Sequence, residues 1–419
     1  MNVHGRVGLN DLPLELQQRI CRNLPGRDLK QLRLVSRHYA SAAARDLPII
    51  IHLFDEPQSC RDALKIARHP DLQIAVTAVA VDVSKITNYE HFSSWIRDTQ
   101  APTMARDWTS QGSAENLKKW YKVHQEVACY QNDPSSATVL LDTLTELLST
   151  CPRLREIIIT NVFGSGYVRL PYPHQKSCIK LSPFLKPYSS SFESAESRFS
   201  LQQILNCLGP SGSLKSLTIM PAHFIDTPNA PTNVSSRNMA FLESLKHFQC
   251  LDQDDKAFAV LLPILASAKH LAWLAVRERR RYPSFPYRTE LFDTIRSDSL
   301  EYINVDGWQA TPDSFRDFLL HHAPTLKTTS TTNMELVIFA ASVDGAWSDL
   351  ASDLAGRFPK LARMVLQEPG VVGLHRLLLD ARYRVCCKFR QTVMARPNQD
   401  RPVLELEDAL RDDYRFTWI

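Results

Sequence analysis

Apolar residues recur in this chain as a six-residue cell: a leucine, then apolar positions three and five residues later. The cell stands as Leu154-Ile157-Ile159, Leu214-Leu217-Ile219, Leu245-Phe248-Cys250, Leu271-Leu274-Val276, Leu300-Ile303-Val305 and Leu361-Met364-Leu366. Leu326-Thr329-Thr331 keeps the spacing with threonines in the later places, and Val76-Val79-Val81 opens the series. Lead leucines are separated by 60, 31, 26, 29, 26 and 35 residues. Alternation at the last two apolar positions predicts a short strand with one buried face. A helical period precedes most cells. It runs over Thr138–Thr150 through Leu141, Leu144 and Leu148, and over Leu201–Leu208 through Leu201, Ile204, Leu205 and Leu208. Over Pro312–His322, Thr311 caps, Pro312 takes the first turn, and Phe315, Phe318 and Leu319 face inward. Breakers follow the helices at Cys151-Pro152, Gly209-Pro210, Ala323-Pro324 and Phe358-Pro359. Helix, turn, strand and loop, repeated, predict an α/β solenoid over 138–366.

Ahead of the repeats the pattern changes. Residues 9–47 predict three short helices. The first opens at Asn10/Asp11 with Pro13 in its first turn, and Leu12, Leu16, Ile20 and Leu24 follow at four-residue steps as one apolar stripe. Pro25-Gly26 stops it. Asp28 with Gln31 reads as a variant capping box for the second helix, whose apolar face is Leu29, Leu32 and Val35. Ala40, Ala42, Ala43 and Ala44 let a third helix pack closely. Forty residues bury little core alone, so these faces call for a partner or for the rest of the chain.

The same residues carry a resemblance. Leu12-Pro13, Glu15-Leu16, Ile20, Leu24, Asp28-Leu29, Leu32-Arg33-Leu34-Val35-Ser36-Arg37 and Ala44 together resemble the F-box. Tyr39 departs from it mildly, where many members carry tryptophan or another large residue. The resemblance implies docking to a Skp-type adaptor and, through it, to the cullin and RING protein of a ubiquitin ligase, while the remainder captures an unknown protein substrate. It implies an adaptor-binding set of Leu12, Pro13, Leu16, Ile20, Leu24, Leu29, Leu32 and Val35. The cells after the F-box resemble degenerate leucine-rich repeats, although no asparagine ladder follows their strands. The expected class is therefore α/β: an N-terminal three-helix F-box followed by an irregular leucine-rich-repeat-like solenoid. A scaffold that binds the adaptor without a cullin is the alternative.

The remaining stretches divide accordingly. Residues 48–95 connect the F-box to the repeats through a helix (Cys60–Arg68) and a strand near Val76–Val83. Residues 96–137 predict a helical insertion whose aromatic neighbourhood (Trp95, Trp108, Trp120, Tyr121) packs rather than reads a ligand, and 367–419 a helical, charged tail. Insertions at 161–198, 220–238 and 277–289 each follow a predicted strand, which places them on one rim as a candidate capture region. Arg277, Arg279, Arg280, Arg281 and Arg288 form the one dense basic cluster. Arginine forks suit acidic or phosphorylated peptides, so these are candidate substrate contacts, with a solvated loop as the plainer alternative and the acid-rich Glu405–Asp413 as an internal partner.

Composition narrows the class. Apolar residues make up 44% of 419, enough for a sizeable core. With 49 basic and 45 acidic residues, net charge +4, nothing favours nucleic acid. The absence of an 18-residue apolar run or a signal-peptide core predicts no membrane span. Nine cysteines without framework spacing suit a reducing compartment, cytoplasmic or nuclear. Gly164-Ser165-Gly166 fits neither a phosphate loop nor a nucleophile elbow, and Cys386-Cys387 lacks zinc spacing. For His321-His322 at a helix end, capping or exposure is expected rather than metal binding. No cofactor, no metal and no catalytic residue are expected.

Overall fold

Backbone hydrogen bonds organise this chain around parallel strands that pair in the order in which they occur. The computed structural model describes residues 12–24, 26–35, 39, 43, 49–86, 88–99, 114–160, 198–219, 240–253, 255–278, 290–338, 346–367, 370–373, 385–388 and 393–394. The chain divides into two units, 1–198 and 199–419.

The first unit begins with helices α1 (Leu14–Arg22) and α2 (Gly26–Val35). Its sheet runs β1 (Ile49–Phe54), β2 (Val76–Asp82) and β3 (Glu156–Thr160), joined in parallel. Between β1 and β2 lie α3 (Pro57–Arg68) and α4 (Pro70–Gln73); between β2 and β3 lie α5 (Phe92–Thr99), α6 (Ala114–Asn132), a 3-10 turn (Pro134–Ser136) and α7 (Val139–Thr150). Helices α3 and α7 pack side by side and are clamped by Arg68, whose Nε and Nη2 donate to the two carboxylate oxygens of Glu146 at 2.7 and 3.0 Å. In α5 and α6, Trp95 is wholly buried among Phe92, Tyr121 and His124. Trp108 and the side chain of Trp120 lie outside the described residues.

Strand β1 is not among the sequence expectations. Its run, Ile-Ile-Ile-His-Leu-Phe, has too little alternation for periodicity to separate strand from connector. Pairing decides it: Ile51 and Leu53 stand opposite Val79 and Val81.

The second unit repeats one step several times. Its main sheet contains β4 (Ser216–Ile219), β5 (His247–Gln253), β6 (Trp273–Glu278) and β7 (Tyr302–Asp306), followed by β9 (Thr328–Thr332) and β11 (Arg363–Gln367), all parallel. The six-residue cell is what sets the register. Leu217, Phe248, Leu274, Ile303, Thr329 and Met364 are paired across the sheet, as are Ile219, Cys250, Val276, Val305, Thr331 and Leu366. Each of these side chains is buried. A one-residue slip would turn both rows to the opposite face, so the spacing fixes the pairing.

The turns before β5, β7 and β9 are locked twice. Lys215, Lys246, Ala272, Glu301 and Lys327 each offer one carbonyl to two successive N–H groups of the next strand's start, as when Lys246 and His247 both donate to Lys215. Side-chain hydroxyls add a second ladder: Ser244 donates to the Leu214 carbonyl, Ser297 to Leu271 at 2.7 Å and Thr325 to Leu300 at 2.8 Å. Hydroxyls ahead of the strands thus satisfy lead-leucine carbonyls in a chain that lacks an asparagine ladder after them.

Helices α8 (Leu201–Leu208), α9 (Phe241–Ser244), α10 (Asp255–Ser267), α11 (Glu290–Thr294), α12 (Pro312–His322) and α13 (Ala346–Leu354) stand between the strands. The caps of α8 and α12 follow their sequences: Ser200 and Gln203 form a complete capping box, and Thr311 accepts from Ser314 N–H with Pro312 in the first turn. Edge-to-face rings join three helices, Phe292 to Phe315 at 5.1 Å, Phe292 to Phe318 at 5.2 Å and Phe315 to Trp347 at 6.3 Å.

A second sheet was not foreseen. It orders β13 (Val385–Lys388), β12 (Gly370–Gly373), β10 (Glu335–Ile338) and β8 (Gln309–Ala310); β14 (Val393–Met394) pairs instead with β11, antiparallel. Strands β8 and β10 follow corners at Gly307 and Asn333, whose φ values of 77° and 51° are left-handed. The corners interlock, with Gly307 N–H donating to Thr332 and Glu335 N–H to Trp308, each at 2.9 Å. The insertions at 161–198 and 220–238, and 279–289 of the third, lie outside the described residues except Arg198; so do Gly164-Ser165-Gly166 and the acid-rich Glu405–Asp413.

Candidate docking site

The amino-terminal helices hold a miniature core and expose much of the rest. Cys21, Leu29 and Ala43 are buried together, with Leu24 and Leu32 packed against them. Helix α1 starts one residue beyond Pro13, which occupies the N-cap position, so the proline lies just outside the first turn. Its carbonyl accepts from Leu16 and Gln17 N–H, while the Gln17 amide folds back to the Leu12 carbonyl at 2.8 Å. Helix α2 starts at Gly26, so Asp28 lies inside its first turn rather than capping it. There the carboxylate still faces the positive end of the helix dipole.

The sequence-selected residues therefore separate. Leu29 is 3% exposed and serves the internal core, flanked by Leu24 and Leu32, whereas Leu16 is 46% and Val35 70% exposed. Pro13 is exposed, and Leu12 and Ile20 are half-buried. Two outward leucines were passed over: Leu14 is 45% and Leu34 80% exposed. Neither falls on the four-residue stripe; the signal was an apolar residue where helical period calls for a polar one. Of the third helix, the structure describes Tyr39 and Ala43, both buried.

Four exposed aliphatic side chains on so short a segment are more than scattered surface residues require. Compared with known protein families, residues 9–48 match the F-box domain. The chain carries an F-box. No curated protein matches the chain. F-box domains bind Skp-type adaptors, and F-box proteins are typically non-catalytic.

Beyond the F-box, the structure describes one residue of the basic cluster, Arg277. Arg277 is the penultimate residue of β6, and its Nε donates to Asp306 Oδ2 on β7 at 2.8 Å, so its charge is already matched. Arg279, Arg280, Arg281 and Arg288 lie outside the described residues. Asp306 also accepts from Asn333 Nδ2 at 3.1 Å, which fixes it at the end of β7.

Two buried polar groups have structural surroundings. In the first unit, the fully buried Asp55 meets Arg198 Nη1 at 2.9 Å, and Arg198 Nη2 donates to the Asp133 carbonyl and to Ser136 Oγ, both at 2.8 Å. Burial pushes the Asp55 carboxyl up, against the downward pull of Arg198, and the neighbouring Tyr130 phenol is pushed up to about 12, chiefly by burial. Nearby, Gln131 ties three segments, donating to the Asp55 and Ser84 carbonyls and accepting from Ile86 N–H. In the second unit, His322 is neither a cap nor exposed: it is 1% accessible and lies edge-on to Phe318 at 4.7 Å. Among the described residues, no three His, Cys, Asp or Glu side chains are placed to hold a metal ion, and no helix is long and apolar enough to cross a membrane.

Proposed function

We propose that this chain is a substrate receptor of a Skp–cullin–F-box ubiquitin ligase, its F-box held by the adaptor and its strand-and-helix repeats presenting a captured protein. The observation that carries the reading is the uncovered apolar surface of the F-box, Leu14, Leu16, Leu34 and Val35. Full burial of such a side chain contributes roughly 1.5–3 kcal/mol, and these are between 45% and 80% exposed, so covering them could offset part of the roughly 4–15 kcal/mol cost of association. Leu24, Leu29 and Leu32 belong to the small internal core of these helices, and Leu12, Pro13 and Ile20 are at least partly exposed. The matching register of buried cells supports a leucine-rich-repeat-like second unit. Free thiols at the described cysteines suit a reducing compartment, cytoplasmic or nuclear. The receptor's own contribution is effective concentration: it holds a target beside the ubiquitin-conjugating machinery, and bond making belongs to other subunits.

Capture of partners by the tagged chain tests this. Wild type should retain adaptor, cullin and RING protein together, and Leu34→Glu with Val35→Glu should lose all three while the unfolding temperature stays unchanged. Adaptor without cullin would assign the chain to the non-ligase scaffolds. Retention by the folded double variant would remove the docking assignment.

A further inference from the structure

The second unit's sheet has one face buried at every cell position and another that is only partly covered. Along β7 and β9 the two alternate residue by residue. On the outward side, the first positions of β5, β6 and β7 place three rings in a row. Trp273 lies nearly parallel to Tyr302, centroids 5.2 Å apart and planes 8° off, and His247 lies 6.5 Å from Trp273. Neither the tryptophan nor the tyrosine is fully buried, although their strand neighbours Leu274 and Ile303 are sealed. The stacked pair, its rings facing each other and partly open to solvent, offers an apolar shelf of ring edges.

The charges beside that shelf are unequal. Two carboxylates on or beside these strands are matched within the chain: Glu301 to Lys327 at 2.8 Å, and Asp306 to Arg277. Lys246, at the start of β5, and Arg363, at the start of β11, are exposed and meet no carboxylate among the described residues. Four strand-to-strand steps separate β5 from β11 by way of β6, β7 and β9. At about 4.8 Å a step this is about 19 Å, the reach of roughly six extended residues.

We propose that this face binds an extended acidic segment of a partner protein, an apolar or aromatic residue seated on the Trp273–Tyr302 shelf and acidic residues on either side meeting Lys246 and Arg363. The proposal rests on the receptor reading for its biological role, since the bound segment would belong to the substrate. Its chemistry rests on the shelf and the unmatched cations alone. Long-range attraction to the cations raises the encounter rate, and the ring shelf selects the register.

Fluorescence anisotropy with the full chain tests it. The probe is a labelled six-residue peptide with two acids at each end around a central Phe-Pro; controls replace the acids by lysines or the centre by Gly-Gly. Wild type should bind the acidic aromatic probe at least tenfold more tightly than either control, and less tightly as salt rises. Lys246→Glu with Arg363→Glu should lose tenfold or more for the acidic probe and gain the lysine probe, with unfolding temperature unchanged. Trp273→Ala should lose a similar factor without changing charge preference. Equal binding of all probes, or no change in the charge variant, overturns the proposal. So does acidic-probe binding that appears only after Glu405, Glu407, Asp408, Asp412 and Asp413 are neutralised, which would give the face to the chain's own segment. Leu34→Glu with Val35→Glu serves as the separating control. If wild type fails to capture adaptor yet binds the probe, the receptor reading fails and the acidic-segment site stands.

Discussion

Arg198 and His322 show how single buried residues couple this fold to pH in opposite directions. The Asp55–Arg198 pair is nearly sealed from water, with 0% and 9% of the two side chains exposed. A buried pair need not stabilise relative to an apolar one, but removing one partner strands the other charge, at about 3–5 kcal/mol. Arg198→Ala should therefore lower the unfolding free energy by about that amount at about pH 7.5. Asp55 already holds its proton more tightly folded than unfolded, and loss of Arg198 raises its pKa further. The penalty of ionising it thus appears above the ordinary carboxylate range and is relieved as pH falls. Denaturant melts at about pH 5 should show a smaller deficit; an equal deficit would exclude this origin. His322 runs the other way. Burial, then the His321 and Arg296 charges, hold it down at about 4, against the backbone of Ile295 and Ser297. The unfolded chain takes up that proton first, so stability is fully present above about pH 6.5 and lost toward pH 4, by up to about 3 kcal/mol. His322→Gln should flatten the wild-type melting profile across that window.

At the scale of elements, helix ends and strand starts carry the specificity. Helix α12 begins and ends where its residues predict, because Thr311, Pro312 and the apolar spacing agree. Helix α2 does not, because Gly26 can enter the helix and leave Asp28 to act through the dipole instead. The hydroxyl ladder has no periodic signature, since serine and threonine are common anywhere. Its weight is measurable. Ser297 is buried, donates to the Lys269 and Leu271 carbonyls and accepts from Ser299 N–H. Ser297→Ala should cost about 1–3 kcal/mol, the price of leaving buried backbone groups unpaired. Hydrogen exchange should quicken first at the start of β7, where consecutive strands are joined. A loss spread evenly over the unit would instead mark Ser297 as ordinary packing.

For the molecule as a whole, the cell spacing matches the strand register that the sheet adopts. Seven lead leucines, whatever the interval between them, place their following apolar residues in parallel rows within each unit, because only that pairing buries every cell. The F-box was legible as a string of specific residues, and its helices as an apolar pattern. Which leucines turn outward was not, since Leu29 and Leu34 are equally apolar and differ only in what surrounds them. Nor was the pairing of Arg277 with Asp306, nor the second sheet, whose strands depend on left-handed corners at Gly307 and Asn333. Sequence alone determined the α/β class, the F-box and the recurring six-residue cell, because burial of an apolar period and a recurring motif are properties of the chain read in order. Tertiary structure decided which cations are matched, which aliphatic side chains stay exposed and where Trp273 meets Tyr302. Those are contacts between residues distant along the chain, and no local pattern encodes them.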